Sequence, residues 1–172
     1  MSHIYQSLRV RQVFGVVSTD DIIPGRYKHA STDPAELATH VFENMVPGLA
    51  ATFKPGDVIS CDDTFGIGSS REQAVSSLLA AGVVAVFAPR FGRIFFRNSW
   101  NLGLLAIEIN SLPALEGEII DLEPSQGLVK TPSGIVHFVP PSTEMLDMVK
   151  HGGLLAQIRK QLVRTAIKDI GQ

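Results

Sequence analysis

Asp62-Asp63-Thr64-Phe65-Gly66-Ile67-Gly68-Ser69-Ser70-Arg71-Glu72-Gln73-Ala74 gathers the groups of this sequence best placed to do chemistry. Gly66 and Gly68 let a backbone come close to a ligand, and an Ala- and Leu-rich helical pattern follows and stops at Gly82. A helix start directs unpaired amides and the positive end of its dipole outward, which suits an anion. Arg71 adds a planar fork for a carboxylate, and a serine whose alkoxide is held by amides and arginine can act as a base. A plainer reading also fits: Gly66-Ile67-Gly68 makes a tight turn, and Ser69 or Ser70 caps the helix. The stretch lacks the third glycine of a dinucleotide fingerprint, and there is no G-x-S-x-G elbow.

The surrounding elements must hold this stretch in place. Lys54-Pro55-Gly56-Asp57 reads as a turn and Val58-Ile59-Ser60-Cys61 as a short strand leading into the glycine stretch. Val83-Val84-Ala85-Val86-Phe87-Ala88 is the next strand, so strand–helix–strand connectivity predicts a parallel pair in an α/β layer. Upstream, Leu8 to Val17 reads as an opening strand, closed by a polar turn at Ser18-Thr19-Asp20-Asp21. Ile22 to Ala30 has neither period and is expected as a loop held by a buried Ile22–Ile23 pair and a Pro24-Gly25 turn.

Asp33-Pro34-Ala35-Glu36 predicts a helix start with Asp33 as N-cap and Glu36 completing a capping box, followed by a Leu37, Val41, Met45 stripe. Phe91 to Leu102, with Arg93, Arg97, Asn98 and Asn101, predicts a helix, and Leu104 to Ile109 a strand. Glu118 to Leu122, Gly127 to Lys130 and Ile135 to Val139 alternate with turns as a small meander would. Helix resumes near Thr143 and breaks at Gly152-Gly153.

Composition narrows the function classes. With 45% apolar residues in 172, the chain can build one real core. A net charge of −2 with scattered Lys and Arg leaves no footprint for nucleic acid. The lone Cys61 excludes an internal disulfide framework and a cluster or zinc site built by this chain alone. No secretory signal pattern or membrane-length apolar run is present, so a cytoplasmic location without membrane contact is expected. His3, His29, His40, His137 and His151 are dispersed, and surface or structural roles are expected for His40 and His137.

Phe65 to Ala74 resembles the glycine–serine–arginine signature of the aconitase swivelling domain. Thr19-Asp20-Asp21-Ile22-Ile23-Pro24-Gly25-Arg26-Tyr27 and Phe91-Gly92-Arg93-Ile94-Phe95-Phe96-Arg97-Asn98 resemble two further blocks of that family, in the family's order. With Gly152-Gly153-Leu154 they span nearly the whole chain, which is identified as a member of the isopropylmalate dehydratase group, small-subunit type. The resemblance implies an α/β fold: a single swivelling β/β/α domain over residues 1–172, with a mixed sheet, flanking helices, a small β meander and a C-terminal helical segment at about 143–170.

It also implies chemistry. In the family a [4Fe-4S] cluster on a separate large subunit is the Lewis acid, and this chain would bind none alone and act only in a heterodimer or heterotetramer with that subunit. The implied reaction is that of a hydro-lyase isomerising 2-isopropylmalate and 3-isopropylmalate by dehydration and rehydration, in leucine biosynthesis. Homocitrate-, methylmalate- or dimethylmalate-type acids are the near alternatives. A stand-alone anion-binding regulatory module would keep the glycine loop and need no cluster partner.

By motif position Ser69 matches the base that takes a proton from carbon, and Ser70 a group supporting the alkoxide and substrate. Arg71 matches a carboxylate-binding arginine, and Asp20 an acidic residue that contacts the proton-handling groups on the cluster side; a turn-forming aspartate is the alternative for Asp20. Gly66, Ile67 and Gly68 form the loop, and Ile67 stands where many relatives carry a cysteine that is not a cluster ligand. His29 falls where homocitrate-type enzymes tend to have arginine and isopropylmalate-type enzymes an apolar residue, so His29 and Lys28 are expected to meet the variable part of the substrate.

Overall fold

The computed structural model describes residues 4–170, with the side chains of Lys28 and of residues 164–170 outside the described set. In chain order the elements are β1 (Tyr5–Val13), β2 (Val17–Ser18), α1 (Thr19–Ile22), α2 (Gly25–Ala30), α3 (Pro34–Ala38), β3 (Asp57–Cys61), β4 (Thr64–Ile67), α4 (Glu72–Ala80), β5 (Val83–Ala88), β6 (Arg90–Phe91), α5 (Arg93–Leu102), β7 (Leu105–Glu108), β8 (Ile119–Glu123), β9 (Leu128–Thr131), β10 (Gly134–His137), α6 (Thr143–Lys150) and α7 (Leu154–Ile170).

A seven-stranded sheet has the order β10-β9-β8-β1-β3-β5-β7. Its β1-β3-β5-β7 half is parallel, as the strand–helix–strand pattern predicts, and β8, β9 and β10 form the expected antiparallel meander joined to β1. The near-continuous apolar runs of β3 and β5 fit a sheet covered on both faces. Alternate residues serve different layers: Ile59 and Val86 pack with Val75 and Leu78 of α4 and with Phe65 and Phe95, whereas Val58 and Phe87 pack with Leu105, Trp100 and Leu122. Met145, Leu146 and Val149 of α6 close over the second layer.

Each of β1, β3 and β5 bends after its last residue and resumes as a short strand of a second, three-stranded sheet, β2-β4-β6, in the same order. This corrects the continuous strand expected for Leu8 to Val17 and the strandless loop expected after Cys61. The first bend is fixed at Gly15, whose N–H donates to the Asp62 carboxylate at 2.6 Å and whose carbonyl accepts from the Cys61 thiol at 3.4 Å. Phe91, expected in a helix, belongs to β6.

The segment between β2 and β3 also differs from expectation. Ser18 to Asp21 is not a turn but the capped start of α1: the Ser18 hydroxyl accepts from the Asp21 N–H at 3.1 Å, and the Asp21 carboxylate accepts from the Ser18 N–H at 2.8 Å. Ile22 and Ile23 are buried as expected, yet Gly25–Ala30 is helical rather than a loop. Asp33 caps α3 through the Ala35 N–H at 3.0 Å. Its own N–H donates to the Ser31 hydroxyl at 3.1 Å, so that donor goes to Ser31 rather than to the expected Glu36. Leu37 and Val41 are buried and Met45 partly so, but α3 ends at Ala38 and the other two lie in the turns beyond it.

Candidate active site

The small sheet explains why distant blocks of sequence meet. Its strands are parallel, with Val17 beside Phe65, Ser18 beside Ile67 and Phe65 beside Phe91. Each of the three blocks therefore leaves the carboxyl end of one of three adjacent strands, where open α/β sheets place their ligands. α1 follows β2, Gly68-Ser69-Ser70-Arg71 follows β4, and α5 follows β6 after Gly92.

Close packing joins the β4 and β6 ends. Gly66 has φ +77°, and a Cβ there would lie 2.3 Å from Cγ of Phe95. A Cβ on Gly92 would lie 2.2 Å from the Gly66 carbonyl oxygen, and the Gly92 N–H donates to the Phe65 carbonyl at 2.9 Å. The freedom expected to admit a ligand at Gly66 thus admits the Phe95 ring instead. Gly68, at φ +99°, turns the chain beside Thr19, whose hydroxyl donates to the Ser69 carbonyl at 3.2 Å.

Arg71 follows this turn, and its side chain is 9% exposed. Its Nη1 pairs with Oδ1 of Asp20 and points at the Ile23 carbonyl at 3.4 Å, while its Nε is buried without a hydrogen-bond partner. Asp20 is largely exposed, as are Ser69 and Ser70. Arg71, not a serine, occupies the N-cap of α4, and no side chain caps that helix. The capping alternative for Ser69 or Ser70 is therefore not realised, and both hydroxyls stand free for a ligand.

His29 sits on α2, exposed. α2 opens at Gly25, where a Cβ would lie 3.4 Å from the Asp20 carboxylate. Four residues of helix put His29 about 6 Å further along the axis. Lys28, the other candidate on α2, has a side chain outside the described residues. Tyr27 anchors the helix: its ring stacks on His40 at 3.7 Å, and Arg26 lies over it at 4.7 Å while bonding Asn44. His40 also contacts Glu43 at 3.0 Å, which gives it a structural role. The Glu43 carboxyl is held below its ordinary range, chiefly by a hydrogen bond with Tyr27.

The donor set does not fit an iron–sulfur cluster held by this chain. Among the described residues no three of His, Cys, Asp and Glu gather to hold a metal. Cys61 is buried at the end of β3, its thiol turned to the Gly15 carbonyl and its pKa pushed up by burial.

Residues 14–112, which contain all three blocks, match the aconitase C-terminal domain family, and the chain belongs to it. The 3-isopropylmalate dehydratase small subunit 2 of Archaeoglobus fulgidus is 41% identical over 146 residues, covering 84% of this chain and 88% of that one. The small subunit from Sulfurimonas denitrificans is 42% identical over 142 residues, covering 81% and 84%. The crystal structure of 3-isopropylmalate dehydratase (leuD) from Methanocaldococcus jannaschii superposes with a TM-score of 0.88 at 33% identity, covering 96% of this chain and 99% of that one. Within the family the chain thus falls in the small-subunit group of 3-isopropylmalate dehydratase, a hydro-lyase. Among the described residues, no helix is long and apolar enough to cross a membrane.

Thr19, the Ile23 carbonyl and Gly92 were not singled out in the sequence, although each lies within a family block. Their residue types give no signal of the contacts they make.

Proposed function

We propose that this chain is one domain that supplies the proton-abstracting and carboxylate-binding half of a two-subunit 3-isopropylmalate dehydratase. The observation that carries this reading is the buried Arg71, its Nε unpaired, next in the chain to two exposed serines that follow β4, at the carboxyl end of three parallel strands. In this reading the iron–sulfur cluster belongs to a large-subunit partner, in a heterodimer or heterotetramer, and the setting is leucine biosynthesis in the cytoplasm.

Ser69 is the base. Its alkoxide takes the proton from one substrate carbon, the C–H electrons become the double bond, and hydroxide leaves the neighbouring carbon. Adding the proton to the carbon that lost hydroxide, and hydroxide to the carbon that lost the proton, gives the isomer. Arg71 holds a carboxylate so that the reacting C–H faces Ser69, and Ser70 supports the alkoxide and substrate. Thr19 fixes the backbone from which Ser69 projects. Ser69 and Ser70 are open to solvent here, and an alkoxide needs a site from which bulk water is excluded. A partner surface closing over this face would provide that exclusion.

The test is reconstitution. Purified chain alone should not convert 2-isopropylmalate, and conversion should appear when a cluster-bearing large subunit is added. Comparable turnover by the chain alone would sink the two-subunit reading.

Substrate choice is expected to rest on His29. Support comes from its exposed position on α2, the helix that begins at Gly25, close to Asp20 in the chain. His29→Val should favour a substrate with an apolar branch, and His29→Arg one with a distal carboxylate. We expect the ratio of kcat/KM values for the two substrates to move about tenfold between these variants, a difference of about 1.4 kcal/mol. An unmoved ratio would remove α2 as the selector.

A further inference from the structure

The unpaired Nε of Arg71 bears on how this arginine meets a ligand. A guanidinium can receive a carboxylate end-on, through both Nη atoms, or side-on, through Nε–H and the neighbouring Nη2. Here Nη1 is occupied twice, by the Asp20 carboxylate and by the Ile23 carbonyl. The end-on edge is therefore taken, and the edge that remains contains the buried, unpaired Nε. Such a donor has already lost its water, so a carboxylate that reaches it gains a charge-assisted bond without stripping that group again.

We propose that Asp20 is a positioning residue: by holding Nη1 against the Ile23 carbonyl it turns the Nε–Nη2 edge of Arg71 toward the substrate carboxylate. This deepens the reading of Arg71 as the carboxylate-binding group and rests on it. The backbone around Asp20 is built for such a task. The reciprocal Ser18–Asp21 capping box fixes α1, the short helix that carries Asp20. Ile23 is itself fully buried at the end of α1, so its carbonyl is a fixed second stop for Nη1. A group that handled protons would be expected to keep its carboxylate free. This one is engaged with an arginine of its own chain.

The two roles separate by experiment. In the reconstituted enzyme, Asp20→Ala should raise KM for 2-isopropylmalate about tenfold or more while kcat falls much less. Asp20→Asn keeps an oxygen to accept from Nη1 and should raise KM less than Ala does. Equal losses of kcat in Asn and Ala with unchanged KM would overturn the proposal in favour of proton handling.

A second measurement needs no activity. In the isolated, nitrogen-15-labelled chain, Arg71 should show separate Nη1 and Nη2 signals because its guanidinium is held, and these should merge in Asp20→Ala. Identical Arg71 spectra in the two chains would overturn the proposal. Arg71→Lys distinguishes the underlying reading: if that change leaves KM unaltered, Arg71 is not the carboxylate-binding group. The spectra then still report whether Asp20 holds it.

Discussion

Ser69→Ala in the reconstituted enzyme is expected to lower kcat by about 10²–10⁴-fold, the usual contribution of a positioned base, while leaving the melting temperature of the chain close to that of the wild type. The separation follows from how Ser69 is held. Its residue is exposed, and its tie to the fold is through the backbone carbonyl that accepts from Thr19, which alanine keeps. Removing the hydroxyl therefore removes the proposed base without opening a cavity. Arg71→Lys should behave differently: a lysine keeps the charge but lacks Nε and the planar fork, so the main effect falls on KM. Steady-state kinetics with both variants, paired with thermal melts, make the comparison. Near-normal turnover in Ser69→Ala would move the base to Ser70 or out of this chain.

Gly66→Ala is expected to damage the fold itself. The backbone there has φ +77°, which costs an L-residue about 1–2 kcal/mol. The new methyl would also overlap three Phe95 atoms at 2.3, 2.6 and 2.7 Å. Phe95 cannot easily yield, because it is buried and packed edge-on against Phe65 at 5.2 Å and face-on against Phe91 at 6.2 Å. Overpacking of this kind adds about 1–3 kcal/mol, so the melting temperature should fall by roughly 5–15 °C. Ile67→Cys, one residue on, is the control. Ile67 is 38% exposed, and exchanging it for the residue common in relatives should change stability little. A Gly66→Ala chain that melted like the wild type would mean that the β4 end is not clamped between Phe95 and Gly92.

Long apolar runs and glycine stops made much of the architecture legible. Val83–Ala88 is short, valine-rich and apolar throughout, which favours a strand covered on both faces, and α4 ends just before Gly82, where the chain turns left-handed at φ +98°. The meander and the break between α6 and α7 follow from the same punctuation. The elements that carry the site were harder to read. β2 and β6 are two residues long, and α1 four, too short for either period to register. α2 follows Pro24-Gly25, residues that ordinarily signal a turn.

The sequence by itself singled out the residues proposed to carry the chemistry: the glycine–serine–arginine stretch suggested an anion site, and the family resemblance pointed to Ser69, Ser70, Arg71 and Asp20. Their relation to one another was decided only in the tertiary structure. Asp20 and Arg71 are 51 positions apart, and Thr19 and the Ser69 carbonyl 50 apart. They meet because β2 pairs in parallel with β4, beyond the bends of β1 and β3. Such pairing leaves no local trace: a parallel register is set by burial of both sheets at once, so no window of sequence shorter than the fold contains it.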